Sequence, residues 1–353
     1  MLGNRKLIVD NFCEVKEFTK AFQDQEFWDF TKHEIVPGAI YLISRQQFTD
    51  NIEQLRKLAT NGTILPILGN PAEGSETMLR QIEGLGILDL VRQNRILIVT
   101  GGYLPPDIPA LYHENFLPKI LDYTENITAI KEYNTHRTTD RPYKFLFLNG
   151  RGRSHRQQLI NRLQGLLNKA IWTNLDLAAG PIKLLDKKYE FDFYQEQLDL
   201  PQDGFVKYKL FKDEWGEIYL KADPYLDTYF SVVTETVFNC PYTFRTEKIW
   251  KPMAIGHPWI AVSNAGYYRD MHNLGFKTFG HLIDESFDTI DHNSTRLEHI
   301  ARVIENLCSQ DLSAFITAAQ ETCKYNQEHL AELRVQVRKE FPQRFINFIN
   351  ERS

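Results

Sequence analysis

The sequence predicts an α/β protein of two Rossmann-like domains facing each other across a cleft, followed by a C-terminal helical tail. Three observations predict it. Short apolar runs alternate with amphipathic stretches through the first third of the chain, a second such series begins at Tyr143, and the chain from Thr295 to Asn350 reads as helix. Strands that alternate with helices pair in parallel, because each crossover returns the chain to the same end of the sheet. At 353 residues, and at roughly 100–200 residues per domain, two domains are expected.

Lys6–Val9 reads as the first strand. Ala39–Ser44 (AIYLIS) reads as the second, entered through Pro37 and Gly38. Gln46–Ala59 carries Phe48, Ile52, Leu55 and Leu58 at helical spacing. Thr63–Leu68 (TILPIL) is a third strand, weakened by Pro66, which has no N–H for a ladder. Glu76–Leu85 follows as helix and Arg95–Thr100 (RILIVT) as the fourth strand. His113–Arg137 is charged and mostly helical. The polar segment Thr138–Pro142 then marks the domain boundary. The second series opens with Tyr143–Leu148 (YKFLFL) and a helix over Arg153–Leu167. Its further strands are Ala170–Thr173, Tyr229–Thr234 (YFSVVT) and Trp259–Ser263 (WIAVS), and the closing helical stretch is interrupted near Pro342. The expected division is residues 1–140, 141–325 and a tail of 326–353. Ligands of such open sheets bind at the carboxyl ends of the strands.

Composition narrows the function. The chain has 41 Lys+Arg against 46 Asp+Glu, a net charge of −5, which argues against a general nucleic-acid-coating protein. The four cysteines form no CxxC pair, so neither a zinc knuckle nor a disulfide framework is indicated. The opening MLGNRKLIVDNF lacks the apolar run of a signal peptide, and nothing approaches the ~20 apolar residues of a membrane helix. A cytoplasmic protein with no transmembrane segment is expected. The histidines show no HxxxH or HxH ligand set, so no metal site is expected. Ser154 lies in no Gly-x-Ser-x-Gly elbow, which leaves a hydrolase triad without support.

Two segments carry the chemistry. In the first, the strand ending at Leu148 runs into Asn149-Gly150-Arg151-Gly152-Arg153-Ser154-His155-Arg156, where a helix begins. Glycines let a backbone approach a ligand closely, and free N–H groups at a helix start favour an anion. Arginines grip phosphate oxygens two at a time. A diphosphate suits such a loop; the plain alternative is a turn with solvated arginines, and His155 reads either as an aid to phosphate binding or, more commonly for such a histidine, as polar surface. The segment is neither a dinucleotide fingerprint nor a P-loop. In the second, a strand ends at Glu235. A loop through Tyr242 then leads to Thr246, which offers a hydroxyl to cap a helix with Glu247 and Lys248 in its first turn. A lysine there opposes the helix dipole, and an anionic ligand in the same space would explain it. Pro252 fits near a helix start or at a kink, and Gly256-His257-Pro258 ends the helix.

Strand-Glu, loop, Thr-Glu-Lys, helix, Gly-x-Pro and strand resembles the family of fucosyltransferases that form α1,3 linkages from GDP-fucose. The resemblance covers about residues 143–290. It implies a GT-B fold, with the nucleotide sugar held by the C-terminal domain as co-substrate and the acceptor by the N-terminal one. It also implies that Arg156 and Lys248 hold the diphosphate, that Glu247 hydrogen-bonds the ribose or sugar, that Glu235 lies near the donor sugar, and that Tyr242 lies near the base or ribose. The chain departs from the family pattern at Thr236 and at Phe244-Arg245.

These residue types suit transfer from a nucleoside-diphosphate sugar. Negative charge develops on the leaving phosphate, and placed Arg and Lys groups stabilise it where it appears. The chain contains no Asp-x-Asp, the usual metal-holding motif; Glu190-Phe191-Asp192 is the nearest approach. Metal-independent transfer is therefore expected. Inversion needs a base for the attacking hydroxyl. Asp10, Glu73, Glu76 and Asp107 follow N-terminal strands, and Glu73 or Glu76 is favoured; the plain alternative is a solvated carboxylate or a helix start at Ser75-Glu76. The acids of Asp284–Asp288 read as a solvated loop. The expected partners are the donor and a glycan or other hydroxyl acceptor. Two alternatives stay open: transfer to a modified nucleic-acid base, against which the acidic charge argues, and a sugar-nucleotide-binding protein without catalysis.

Overall fold

The computed structural model describes residues 2–27, 29–30, 32–150, 152–174, 187–189, 194–199, 207–210 and 218–352. Residues 1–118, 242–244 and 334–353 form one compact unit, and residues 119–241 and 245–333 form a second.

The first unit is built on a six-stranded parallel sheet of order β2-β1-β3-β4-β5-β6. Its strands are β1 (Leu7–Asp10), β2 (Gln25–Phe27), β3 (Ile40–Ser44), β4 (Leu65–Asn70), β5 (Leu97–Thr100) and β6 (Ala110–Tyr112). Its helices before the last strand are α1 (Lys16–Thr19), α2 (Arg45–Asp50), α3 (Ile52–Thr60), α4 (Ser75–Gly84) and α5 (Leu88–Arg92). Successive side chains of a strand point to opposite faces, and both faces here are apolar. Ile8, Tyr41, Ile43, Leu68 and Ile98 face one way, packed with Phe48, Leu55, Met78, Ile82 and Val91 of the helices. Leu7, Val9, Ile40, Leu42, Ile67, Leu97 and Val99 face the other way, against Phe341, Phe345, Phe348 and Ile349.

The second unit carries a four-stranded parallel sheet of order β12-β11-β7-β8. Its strands are β7 (Tyr143–Phe147), β8 (Ala170–Trp172), β11 (Thr228–Thr234) and β12 (Trp259–Val262), and β9 (Tyr194–Asp199) with β10 (Lys207–Leu210) makes a separate antiparallel pair. Its helices are α6 (Thr124–His136), α7 (Ser154–Arg162), α8 (Asp223–Leu226), α9 (Glu247–Ile255), α10 (Tyr267–Asn273) and α11 (Asn293–Cys308). A last helix, α12 (Leu312–Asn350), ends the chain. The segment Thr138–Pro142 lies inside this unit, between α6 and β7. Among the described residues, no helix is long and apolar enough to cross a membrane.

The α/β class and the parallel pairing agree with the sequence, and four details differ. Pro66 sits in a central strand, β4. Leu65 donates to Ala39 on the β3 side, so the N–H that Pro66 lacks would face β5, where pairing starts only at Ile67. No ladder bond is lost. The helix expected over Gln46–Ala59 breaks at Asn51, whose Nδ2 donates to the Gln47 carbonyl at 2.8 Å and shares that acceptor with the Asn51 N–H at 3.2 Å. Only Thr124–His136 of the stretch His113–Arg137 is helix. Pro342 lies within α12 and does not interrupt it.

Candidate functional site

The first segment behaves as a strand, a loop and a helix start. β7 delivers Asn149 to the carboxyl edge of the sheet, where it is 2% exposed. The Thr173 hydroxyl and the Asn149 backbone hold each other, at 2.8 Å from the Asn149 N–H and 3.1 Å to its carbonyl. The Asn149 Oδ1 accepts from the Thr234 hydroxyl at 2.7 Å. The Nδ2 is left as a buried donor with no partner among the described residues. A β-carbon at Gly150 would meet nothing within 4 Å, so the loop is open there. Arg153 is half-buried and precedes α7, which has no side-chain cap. Arg151 lies outside the described residues, as does Glu190-Phe191-Asp192.

Arg156 is placed differently from a solvent-facing phosphate grip. It is 3% exposed, and its Nη2 donates to the carbonyls of Thr234 at 3.0 Å and Glu235 at 3.3 Å. It clamps the end of β11. His155 is not polar surface. It is buried, stacks on Phe238 at 4.9 Å, and its Nε2 lies 3.1 Å from the Glu235 carbonyl. Burial, with the Arg156 charge next, pushes its pKa down to about 3. The ring is neutral at ordinary pH, so its one proton sits on Nε2, facing that carbonyl.

Glu235 joins the two segments. It is fully buried at the end of β11. Its Oε1 accepts from the Thr246 N–H and the Tyr267 hydroxyl, both at 3.1 Å, and its Oε2 accepts from the Thr246 hydroxyl at 2.7 Å and the Thr236 N–H at 3.3 Å. Burial raises its pKa, opposed by the Lys248 charge and the Thr246 bonds. Both oxygens are occupied, so this carboxylate anchors α9 and α10 to the strand end. Tyr267 carries no signal in the sequence: it lies 32 residues beyond Glu235, and only the fold brings its hydroxyl there.

Thr246 is the N-cap of α9, as the sequence predicts, and its Oγ1 accepts from the Lys248 N–H at 3.3 Å. The Lys248 Nζ reaches the same hydroxyl at 3.4 Å and pairs with Glu247. Burial alone would raise the Glu247 pKa, but the Lys248 charge and hydrogen bond, with Lys251 beyond, hold it below the usual carboxylate range. Lys248 is partly exposed and Glu247 is buried. Asn149, Arg156, Glu235, Thr246, Glu247 and Lys248 thus belong to one hydrogen-bonded network at the carboxyl ends of β7 and β11. The chemistry of that network is donor-rich: a buried amide N–H and an ammonium at a helix start both suit a ligand of anionic oxygens and hydroxyls.

Tyr242 does not join this network. Residues 242–244 belong to the first unit, where Ser75 donates to the Tyr242 carbonyl at 2.8 Å, Tyr103 donates to the Thr243 carbonyl at 3.0 Å, and Phe244 bridges to Gly102. The favoured carboxylates of the first unit form surface ion pairs, Glu73 with Arg45 at 3.1 Å and Glu76 with Arg80 one helical turn on. Asp107 pairs with Arg92, and Asp10 is buried and holds the Ser44 and Phe12 N–H groups.

Comparison with protein families, with curated proteins and with solved structures finds no match to this chain.

The loop acids after β12 also have partners. Glu285 accepts from the Thr278 hydroxyl at 2.6 Å and the Phe279 N–H at 2.7 Å, while Asp288 accepts from the N–H groups of Tyr268 and Arg269 in the first turn of α10. The reading of this segment as a solvated loop is corrected: its acids hold backbone N–H groups.

Proposed function

We propose that this chain is a glycosyltransferase of the GT-B type that takes a nucleoside-diphosphate sugar and passes the sugar, with inversion, to a hydroxyl acceptor. The observation that carries this reading is the pairing of Lys248, a cation set against the helix dipole at the start of α9, with the unpartnered amide donor of Asn149 on the same network. Such an arrangement complements a diphosphate bearing a sugar.

The chemistry follows from those groups. The bond between the sugar anomeric carbon and the diphosphate oxygen breaks, and its electron pair stays on the diphosphate. A new bond forms to the acceptor oxygen on the opposite face, and the acceptor proton passes to a carboxylate base. Lys248 meets the developing negative charge directly. Arg156 acts from beneath, as a fixed positive charge behind the strand end. Asn149 donates to the ligand through Nδ2. Glu73 and Glu76 remain the proposed bases, and each must then leave its arginine to act. GDP-fucose is the first donor to test, because of the Thr-Glu-Lys resemblance, and metal-independent transfer goes with the two basic residues.

A thermal-shift series with GDP, UDP, ADP and CDP tests the reading, since a ligand that binds only the folded state raises the melting temperature. One base should raise it clearly. Lys248→Ala should weaken that binding by about tenfold or more, as expected for a lost charged hydrogen bond, and should stop EDTA-resistant hydrolysis of the matching sugar nucleotide. Absence of any nucleotide shift in the wild type removes the proposal. Tight binding with no turnover leaves a sugar-nucleotide-binding protein instead.

A further inference from the structure

The opposite edge of the four-stranded sheet carries a second group of donors, which the function above does not use. Arg141 stands just before β7, and Thr228, the first residue of β11, pairs with Tyr143. Both therefore lie at the amino ends of the strands, away from Asn149 and Glu235. There the segment before β7 passes between the end of α6, the turn before β12 and α12, and a cavity of about 90 Å³ lies beside it. Arg137, Thr139 and Gln320 line the cavity and are exposed, so it communicates with solvent. Tyr133 and Arg141 line it at 1% and 6% exposure. Arg141 has five N–H donors and four acceptors: the carbonyls of Thr138 at 3.0 Å, Tyr225 at 2.5 Å and Thr228 at 2.6 Å, and the Tyr133 hydroxyl at 3.2 Å. These bonds hold the start of β11 and leave one guanidinium N–H over. None of the four acceptors is charged, so the buried cation has no anionic partner among the described residues. The Tyr133 hydroxyl accepts from Arg141, and its own proton has no acceptor there. Burial raises the Tyr133 pKa, which keeps that proton in place. Arg137, Thr139 and Gln320 make no side-chain hydrogen bond or ion pair with the described residues.

The buried groups left over here are donors, and no carboxylate of the described residues lines the cavity. The carboxyl end of α6 favours cations on its own account, but a helix end holds only about half a charge and here meets two arginines. Water would accept from the donors and leave the Arg141 charge unanswered. A ligand with several anionic oxygens meets both needs. A tetrahedral oxyanion has enough of them for two guanidinium groups and a phenol, and arginine forks grip such oxygens two at a time. The cavity is several times what one water needs and far below the ~300 Å³ of ordinary small-molecule pockets. It fits a phosphate group and not a whole nucleotide.

We infer that this cavity, through Arg137, Arg141 and Tyr133, binds a tetrahedral oxyanion, either inorganic phosphate or the phosphate group of a small ester. The site is separate from the nucleotide reading and needs no nucleotide to be tested. Phosphate salts stabilise proteins without occupying a site, so the assay is calorimetric titration of the full chain at matched ionic strength. Sodium phosphate should bind saturably, and sodium acetate should not. Glycerol 3-phosphate that binds more tightly than phosphate identifies an ester as the ligand; equal or weaker binding identifies the free anion. Arg137→Gln alters only an exposed side chain and should weaken phosphate binding by about tenfold, the loss expected for a charged hydrogen bond. Tyr133→Phe keeps the ring beneath Arg141 and deletes the donor, and it should weaken binding as well. Lys248→Ala should leave phosphate binding unchanged. Absence of saturable phosphate binding overturns the proposal, and so does binding that Arg137→Gln retains in full. Acetate bound as tightly as phosphate assigns the cavity to carboxylates and overturns it too. Phosphate binding lost in Lys248→Ala moves the anion to the nucleotide network, with the same consequence. If the nucleotide series fails while phosphate binds here, only the donor reading falls.

Discussion

Asn149 concentrates the functional question into one side chain. Its oxygen is used by Thr234 and its nitrogen is not used by any described residue. Asn149→Asp separates the two. The variant keeps an acceptor for Thr234 but replaces the donor with a buried carboxylate, which costs stability when ionised and repels an anionic ligand, so nucleotide binding should fall by more than the lowered stability accounts for. A loss of stability without a loss of binding would make Asn149 a purely structural residue. The sequence pointed to Asn149 through its place after a buried strand, and to Glu235 and Thr246 through their places at a strand end and a helix start. It gave no sign that Glu235 would accept from Thr246 across 11 residues or from Tyr267 across 32. The resemblance singled out Arg156, but as a phosphate holder and not as an anchor of β11: which arginine of the loop turns inward depends on where the carbonyls of Thr234 and Glu235 end up.

Helix α9 shows how far local rules reach. Thr246 at its N-cap and Gly256 at its C-cap, with φ of 78°, are both where the sequence suggests. A β-carbon at Gly256 would also meet the end of the flexible Gln327 side chain at 2.6 Å, which would have to shift, so it is the left-handed φ that calls for glycine. Thr246→Ala removes the cap, about 1 kcal/mol on its own, and also strips Glu235 Oε2 of its closest donor. It should cost more than a surface cap, by about 2 kcal/mol or more in denaturant unfolding, and Thr246→Ser should restore most of it. A loss no larger than an ordinary cap would mean that the Thr246–Glu235 bond contributes nothing. The segment after β12 gives a pH signature. Burial lifts the Glu285 pKa from 4.5 to about 7. The folded state therefore holds this proton after the unfolded chain has released it, so stability declines as pH rises from about 4.5 to about 7 and is level above that. The decline from this one group is at most about 3 kcal/mol. Melting curves from pH 5 to pH 8 should show it in the wild type and a shallower slope in Glu285→Gln. Equal slopes would remove Glu285 as its source.

At the scale of the whole chain, the last helix matters most. Residues 334–353 belong to the first unit, where Phe341, Phe345, Phe348 and Ile349 cover one face of the six-stranded sheet. This explains why Pro342 does not end α12. A proline inside a helix costs about 3 kcal/mol, and each buried phenylalanine contributes roughly 1.5–3 kcal/mol, so three of them outweigh the break. Phe345→Ala should destabilise the first unit by about 3–5 kcal/mol, read as a lower denaturant midpoint. A change under about 1 kcal/mol would mean that the tail is not part of that core.

The sequence by itself determined the α/β class, the parallel pairing and most of the strands, because these depend on apolar periodicity within a few residues. It placed the cap of α9 and drew attention to the loop after β7 for the same reason. The tertiary structure alone decided what depends on distant partners. It set β4 in the middle of its sheet, where the missing N–H of Pro66 costs nothing, and it found the short strands β2 and β6, whose three residues each carry too little pattern to read. It also turned Arg156 and Glu235 inward as anchors. Burial and hydrogen bonding at each of these sites come from residues that the chain brings back from far away, and no local pattern records them.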